Sequence, residues 1–434
     1  PMYKSVVAVC LVVFIGIGSW VYYNDNVINE RFSGNEREQL QVDYEKQFAH
    51  LDELDQPRIT GVTIDLDLFP ETRDMKAKGI FVLKNKTSSP IDSVLISLND
   101  YRSYKQTYAF DKKGETVLKD SLYDFDIFKF DESLLPGEEV KFTFEMQNEP
   151  NTLLNQKSMV RTNGTFINNR IFPSFGYRSN YEIQNNKTRK KYGLVPKERM
   201  KSPLDSTALG NTYISDDADW IDFETTISTS KDQIAIAPGY LQKEWVEEDR
   251  AYFHYKMDKK ILNFYAFNSA EYEVYEDKWN DVNIQVFYHK PHDYNIERMV
   301  SAAKKSLAYY SENFSPYQFR QLRIIEFPRT GGSFAQSFAN TVPYSEAVGF
   351  IADVDTIDKD AVNYPFSITA HEVAHQWWAH QVIGANVRGA TLLSESMSEY
   401  SSLKVLEKEY GAEQMRVFLK DALDKYLRSR RFES

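Results

Sequence analysis

The chain has one cysteine, Cys10, so no disulfide can close within it and its stability must come from packing. Internal repeats, low-complexity tracts and a glycine-rich phosphate loop are all missing, which excludes solenoids and the common nucleotide-binding folds. Positive charge is in deficit. The 52 Lys and Arg stand against 63 Asp and Glu, and a net charge of −11 argues against nucleic acid as a partner. One basic run, Lys187 to Lys201 with Arg189, Lys190, Lys191, Lys197 and Arg199, reads as a solvated loop. Sequons begin at Asn85, Asn163, Asn186 and Asn313, and say little without a glycosylating compartment.

Long apolar runs are nearly missing too, with one exception at the amino end. Ser5 to Tyr23 carries no charge and is rich in Val, Ile, Leu and Phe. About twenty such residues span a hydrocarbon core, Lys4 marks one boundary, and Trp20, Tyr22 and Tyr23 suit the other, so the segment reads as a transmembrane helix. A signal peptide is the competing reading; the single positive charge and the lack of a small-residue cleavage site speak against it. The flanking charges do not fix an orientation, and the extracytoplasmic side is the expected one for the soluble part.

Residues 25–56 are polar, with Arg31, Glu36, Arg37, Glu38, Glu45, Lys46 and Asp55, and read as a helical stalk closed by Pro57. Beyond it Val62, Ile64, Leu66 and Leu68 alternate with Thr63, Asp65 and Asp67, the period of a half-buried strand. The alternation returns at Val140, Phe142, Phe144 and Met146, and at Val282, Ile284, Val286 and Tyr288. A β-sandwich or saddle is expected. After Asp293, Ile296, Val300, Ala303, Leu307, Tyr310 and Phe314 fall on one face of an amphipathic helix. LRIIEFPR then reads as a strand, SFAQSFANTV as a loop and YSEAVGFI as another strand.

The richest chemistry lies in HEVAHQWW. On a helix, His371 and His375 are roughly 40° apart and one turn apart, so both imidazoles can meet one ion, while Glu372 can reach a water beside it. Pro365 suits a helix start, and Ile368, Val373, Trp377 and Val382 form an apolar stripe before Gly384. A hydrolytic zinc usually takes three protein ligands and leaves the fourth position for water. Glu395 is the best third candidate, at the start of a second helix bearing Leu392, Leu393, Met397, Tyr400, Leu403 and Leu406 and stopping near Gly411. Glu399, one turn on, can accept a hydrogen bond from the outer nitrogen of a ligating His. His380 is too far along the helix to be a ligand, and His289 and His292 read as surface residues at a strand end.

These residues resemble those of the zinc aminopeptidases of the aminopeptidase N type, within the gluzincins, whose signature is HExxH followed by a Glu on the next helix. Aligning SESMSEY with the family's NEGFASY places Glu395 on the ligand, with nineteen residues after His375 where the family has eighteen. Upstream, VPYSEAVGFI is similar to the family's GAMEN strand. Glu346 falls on its Glu, which binds the substrate amino terminus, while Pro343, Tyr344, Ser345 and Ala347 replace its other residues.

The resemblance implies one Zn2+, a peptide substrate, an amino-terminal β domain and a thermolysin-like catalytic domain. The expected fold is thus multidomain, β and α+β: a transmembrane helix (1–24), a stalk (25–56), a β-rich domain (57–273) and the first part of a thermolysin-like zinc peptidase domain (274–434). Neither end reads as a natural terminus, so a fragment is expected, with the family's oxyanion-stabilising Tyr beyond residue 434 and Tyr400, Tyr410 and Tyr426 packing helices. The order of segments also resembles peptidase domains fused to the last transmembrane helix of bacterial ABC-transporter permeases, which implies transporter subunits as partners. The alternative is a non-catalytic peptidase-fold module that binds or assembles a membrane transporter complex.

Overall fold

A computed structural model describes residues 2–28, 32–98, 104–150, 158–198, 200–354 and 361–431; Arg31 of the polar segment and Arg199 of the basic run lie outside these. The chain divides into two compact units.

The smaller unit comprises residues 1–54, 120–123 and 176–199. Helix α1, Met2–Tyr23, leads it. From Tyr3 to Tyr23 it is long and apolar enough to cross a membrane, with a mean hydropathy of 2.2, and its side chains are exposed. Helix α2, Gly34–Phe48, occupies the polar segment and starts on a capping box between Ser33 and Glu36. Its Tyr44 ring stacks on Tyr177 and meets the edges of Tyr123 and Tyr181, and its hydroxyl accepts from the Arg178 amide at 3.1 Å.

The basic run is not a solvated loop. It forms the short helix α3, Asn186–Lys191, capped by Asn185, and turns Arg189 inward. That guanidinium grips both oxygens of Glu45, at 2.6 and 2.8 Å, and donates to the carbonyls of Ile183 and Val195. The fork geometry of Arg makes such a pair strong and directional, which a count of charges along the sequence does not reveal.

The larger unit carries the sheets. A seven-stranded sheet runs in the order Tyr240–Glu247, Arg250–Lys256, Ala218–Ser230, Arg58–Phe69, Asp74–Lys84, Glu139–Asn148, Tyr104–Phe110. Only Arg58–Phe69 and Ala218–Ser230 pair in parallel. Along Arg58–Phe69 the expected alternation holds, with Ile64, Leu66 and Leu68 buried and Thr63 and Asp65 outside. Gly79 is opposite Phe144, and a Cβ there would stand 2.2 Å from its ring, so the missing side chain lets the aromatic lie flat on the strand. Two smaller sheets, of three and four strands, complete the β-rich part.

A separate four-stranded sheet, in the order Glu273–Trp279, Val282–Tyr288, Gln321–Phe327, Thr341–Ser345, supports the helices that follow. Its last three strands are parallel, and Gln321–Phe327 is buried on both faces, as parallel strands covered by helices are. Helix α4, Ile296–Asn313, turns Ile296, Val300, Ala303, Leu307 and Tyr310 inward as their spacing predicts. These pack with Ile284, Val286, Leu322 and Ile324 of the sheet, and each large side chain fully buried there contributes about 1.5–3 kcal/mol.

Helix α5, Tyr364–Ala374, and helix α6, Met397–Arg430, follow. Gly411 interrupts α6 with φ 82°, so the expected stop is there and a second helical stretch resumes beyond it.

Candidate metal centre

Helix α5 begins where Asn363 accepts from the Phe366 amide, with Pro365 in the first turn. Its inner face sets Phe366, Ala370, Val373 and Ala374 in the same core as α4, and the Tyr310 hydroxyl donates to the Ala370 carbonyl at 2.9 Å. Regular helix ends at Ala374, short of the Val382 that the apolar stripe suggests, and the chain winds on as turns. The winding loosens after His375: the His380 amide bonds the His375 carbonyl at 3.1 Å, five residues back. Side chains hold this wider coil. Trp377 Nε1 donates to the Ser315 carbonyl at 2.8 Å, and Trp378 Nε1 to Ser401 Oγ at 2.9 Å.

His371 and His375 turn their Nε2 atoms towards each other, 3.1 Å apart. Glu395 Oε2 is 3.4 Å from the first and 3.5 Å from the second. Tetrahedral zinc holds His and carboxylate ligands at about 2.0–2.1 Å, which places ligand atoms about 3.3 Å apart, so the triangle has the size one zinc ion needs. Glu395 reaches it from a π turn, Leu392–Ser396, that leads into α6.

The outer nitrogens settle the tautomers. His371 Nδ1 faces Glu399 Oε2 at 2.9 Å, and His375 Nδ1 faces the Trp378 carbonyl at 3.2 Å and Ser398 Oγ at 3.0 Å. In the neutral rings, with protons donated outward, both Nε2 lone pairs point into the triangle. Glu372 is buried beside them, and burial raises its carboxyl pKa against the pull of His375 and His371. Burial alone would lower His371, but the hydrogen bonds of Glu395 and Glu399 outweigh it and hold this imidazole at about 10. His371, then His375, holds Glu395 well below the usual carboxylate range. Without a metal, the triangle therefore carries a proton on His371.

A polar network that sequence reasoning missed lies behind the motif. Gln376 is fully buried; its Nε2 donates to Ser337 Oγ at 2.6 Å and to the Phe338 carbonyl at 2.9 Å, and its Oε1 accepts from the Asn340 amide at 2.9 Å. Ser337 in turn donates to the Glu372 carbonyl at 2.8 Å. His380, expected not to be a ligand, is buried with Nε2 on the Ser337 carbonyl at 3.1 Å, and burial lowers it to about 4. An amide between His375 and Trp377, where the apolar stripe is densest, was the available sign of this tether.

A strap from the β-rich part also reaches the site. The loop joining the elements that carry His375 and Glu395 pairs with residues about 180 positions upstream: Lys201 with Val387 and Thr212 with Ala385, with the Tyr213 amide on the Gly384 carbonyl at 3.3 Å. The Tyr213 hydroxyl lies 2.5 Å from Ser394 Oγ, next to Glu395.

Glu346 is not in the triangle. The strand expected over YSEAVGFI is instead Thr341–Ser345, and Glu346 opens the turn that follows, its amide on the Phe327 carbonyl at 2.9 Å. Pro343 sits in this strand at the sheet edge, where a missing amide costs least. One oxygen of Glu346 accepts from the Arg329 amide at 3.0 Å, with the Arg329 Nε at 3.8 Å.

Solved structures show the same architecture. The M1 zinc metallopeptidase from Deinococcus radiodurans matches with a TM-score of 0.55 and 12% identity, over 86% of this chain and 75% of that one. A point mutant of a two-domain M1 zinc metallopeptidase bound to L-tryptophan matches equally, with a TM-score of 0.55 and 12% identity over 86% of this chain and 75% of that one. The fold is theirs. No family model matches the chain, and no curated protein does.

Proposed function

We propose that the chain is a zinc metallopeptidase of the aminopeptidase type, with His371, His375 and Glu395 as metal ligands and Glu372 as the proton carrier. The observation that carries this reading is the triangle of three ligand atoms, 3.1–3.5 Å on a side, with Glu372 buried next to it. Zinc held there supplies Lewis acidity, polarising a peptide carbonyl and making a nearby water easier to deprotonate.

The chain's own residues do the rest. Glu372 takes a proton from the water that attacks the carbonyl and delivers it to the departing amine. Its raised pKa suits both halves of that task, because a carboxylate nearer neutrality is a better base and its acid form persists long enough to donate. Glu399, at His371 Nδ1, fixes the orientation of the ring so that the ligand nitrogen is aimed inward. Glu346 would bind the substrate ammonium and set the exopeptidase register; in doing so it has to share its carboxylate with Arg329. That pairing is what favours the second reading, a non-catalytic peptidase-fold module in a membrane transporter complex.

In this proposal residues 1–24 anchor the protein in a membrane, residues 57–273 form the β-rich domain, and residues 274–434 form a thermolysin-like peptidase domain. The α1 side chains, exposed along an apolar helix, support the anchor. An ABC-transporter permease as partner rests on the resemblance of segment order alone.

The test is hydrolysis of aminoacyl anilides and short peptides by the full chain loaded with zinc. Glu372→Gln is expected to lower kcat by about 10²–10⁴-fold with zinc content unchanged. A zinc-loaded Glu372→Gln protein as active as its parent would sink the assignment.

A further inference from the structure

A second group of histidines and a carboxylate stands apart from the metallopeptidase motif. Glu326 lies in the strand Gln321–Phe327 and is fully buried, in an otherwise apolar run. His289 follows the strand Val282–Tyr288, and His292 is three residues on, in the turn before α4. The reading of these histidines as surface residues does not hold: both are largely shielded and face Glu326, with side-chain exposures of 15% and 23% against 0% for the carboxylate. His292 Nδ1 contacts Oε1, and His289 Nδ1 is 3.3 Å from Oε2. One ligand atom from each residue falls within 4.8 Å of the others.

The tautomer of His289 is the telling feature. The Asn163 amide oxygen accepts the Glu271 amide at 3.0 Å, which fixes it as an acceptor. His289 Nε2, 3.3 Å from that same oxygen, therefore carries the hydrogen. In the neutral ring Nδ1 is then a bare lone pair. It is buried, has no hydrogen-bond partner, and looks at a carboxylate oxygen. Oε2 accepts the His289 backbone amide at 2.7 Å, and a second lone pair turned towards that oxygen in a shielded site is repelled unless a positive charge lies between them. Among the described residues, these two imidazoles alone form ion pairs with Glu326, so no Lys or Arg supplies that charge. The arrangement repeats the logic of a metal ligand, with an outer nitrogen anchored by an oxygen and an inner one left free.

We propose that His289, His292 and Glu326 form a second cation site, for a divalent first-row metal. The two-nitrogen, one-oxygen donor set selects zinc over calcium or magnesium, which prefer all-oxygen shells. Glu326 joins the strand to the turn that enters α4, and the Tyr272 hydroxyl donates to the Glu326 carbonyl at 2.8 Å. The ion would tie the sheet to the start of that helix, a structural role separate from peptide hydrolysis.

Elemental analysis of the full chain, equilibrated with buffered zinc and freed of loose metal, tests this. The expected result is that wild type carries two zinc ions, His371→Ala/His375→Ala keeps one, and His289→Gln/His292→Gln also keeps one. Cobalt substituted into His371→Ala/His375→Ala should show d–d absorption that is lost on adding the Gln pair. If wild type and His289→Gln/His292→Gln carry the same amount of metal, the proposal is overturned and a shared proton holds the cluster together. Should the Ala pair fail to fold, the Gln pair alone decides. Failure of the peptidase reading looks different: the Gln pair would then remove metal, and the Ala pair would not.

Discussion

Removing the carboxylate of Glu399 probes how the two histidines are prepared for an ion. Glu399 Oε2 is 2.9 Å from His371 Nδ1 and is one of two carboxylates that hold this imidazole at about 10. Zinc must displace that proton. At pH 7 the displacement costs about 4 kcal/mol, from about three pKa units at 1.36 kcal/mol each. Wild-type zinc affinity should therefore climb about tenfold per pH unit between pH 6.5 and 8.5.

In Glu399→Ala the His371 pKa falls, less proton has to leave, and the climb flattens. Losing the outer carboxylate also weakens the ligand itself, by about 10–100-fold, or about 1.4–2.8 kcal/mol. The two effects oppose each other at low pH and separate as pH rises. The ratio of variant to wild-type Kd should accordingly grow with pH towards that full factor. Competition against a chromophoric chelator across the range reads both curves. A ratio that stays constant from pH 6.5 to 8.5 would refute the claim that Glu399 governs the protonation of His371.

Gln376→Leu strands the buried Asn340 amide and leaves the Phe338 carbonyl with the Thr341 amide alone, a loss of about 1–3 kcal/mol that should appear as a lower denaturant midpoint; an unchanged midpoint would show the network to be dispensable. Arg329→Ala releases Glu346 from a pair that is exposed on the Arg side and worth about 0–1 kcal/mol, so KM for substrates with a free amino terminus should fall by up to about fivefold, while Glu346→Ala should raise it; equal KM values in all three proteins would remove Glu346 from substrate binding. Arg189→Met strands Glu45 and should cost about 3–5 kcal/mol locally, read as faster limited proteolysis within residues 32–48; unchanged cleavage would mean the pair does not hold α2. In metal-free protein the raised His371 contributes stability that is present below about 6.5 and lost as pH rises through about 10, while the lowered Glu395 contributes stability lost as pH falls below about 4.5. The Tm of chelator-treated protein should thus be higher at pH 5.5 than at pH 10, and a Tm that rises between them would contradict the assignment.

What the sequence displays about the fold is what depends on period and local chemistry. The alternation along Arg58–Phe69, the face of α4 and the breaker Gly411 are all local, and each is where the pattern puts it. So is the spacing that brings His371 and His375 together. Glu395 and Glu399 came from the demand for a third ligand on the next helix, to which the resemblance added an alignment, because nothing local says which distant carboxylate returns to a helix.

The hidden features depend on partners far along the chain. Arg189 looked like one more solvated cation until Glu45 met it, and Gln376 is an unremarked amide without Ser337, Phe338 and Asn340. The end of the strand before Glu346 was misplaced because an apolar run does not distinguish a buried turn from a buried strand, and Val348 and Phe350 lie in turns. The burial of His289 and His292 is hidden for a simpler reason. A strand end is usually wet, and only the carboxylate of Glu326, inside a run of Leu, Ile and Phe, marked this one as dry.

The strap of residues 201–213 on the loop at 384–388 bears on the length of that loop. When a connection is free, its length sets the distance between the elements it joins, and one added residue displaces whatever follows. Here both rims of the loop are paired from outside, so Lys201 and Thr212 help to fix the interval from His375 to Glu395 along with the residues that lie between. Spacing in this part of the chain can drift by a residue while His371, His375 and Glu395 stay in register, and a motif search that insists on a fixed count will pass over chains that hold the same geometry.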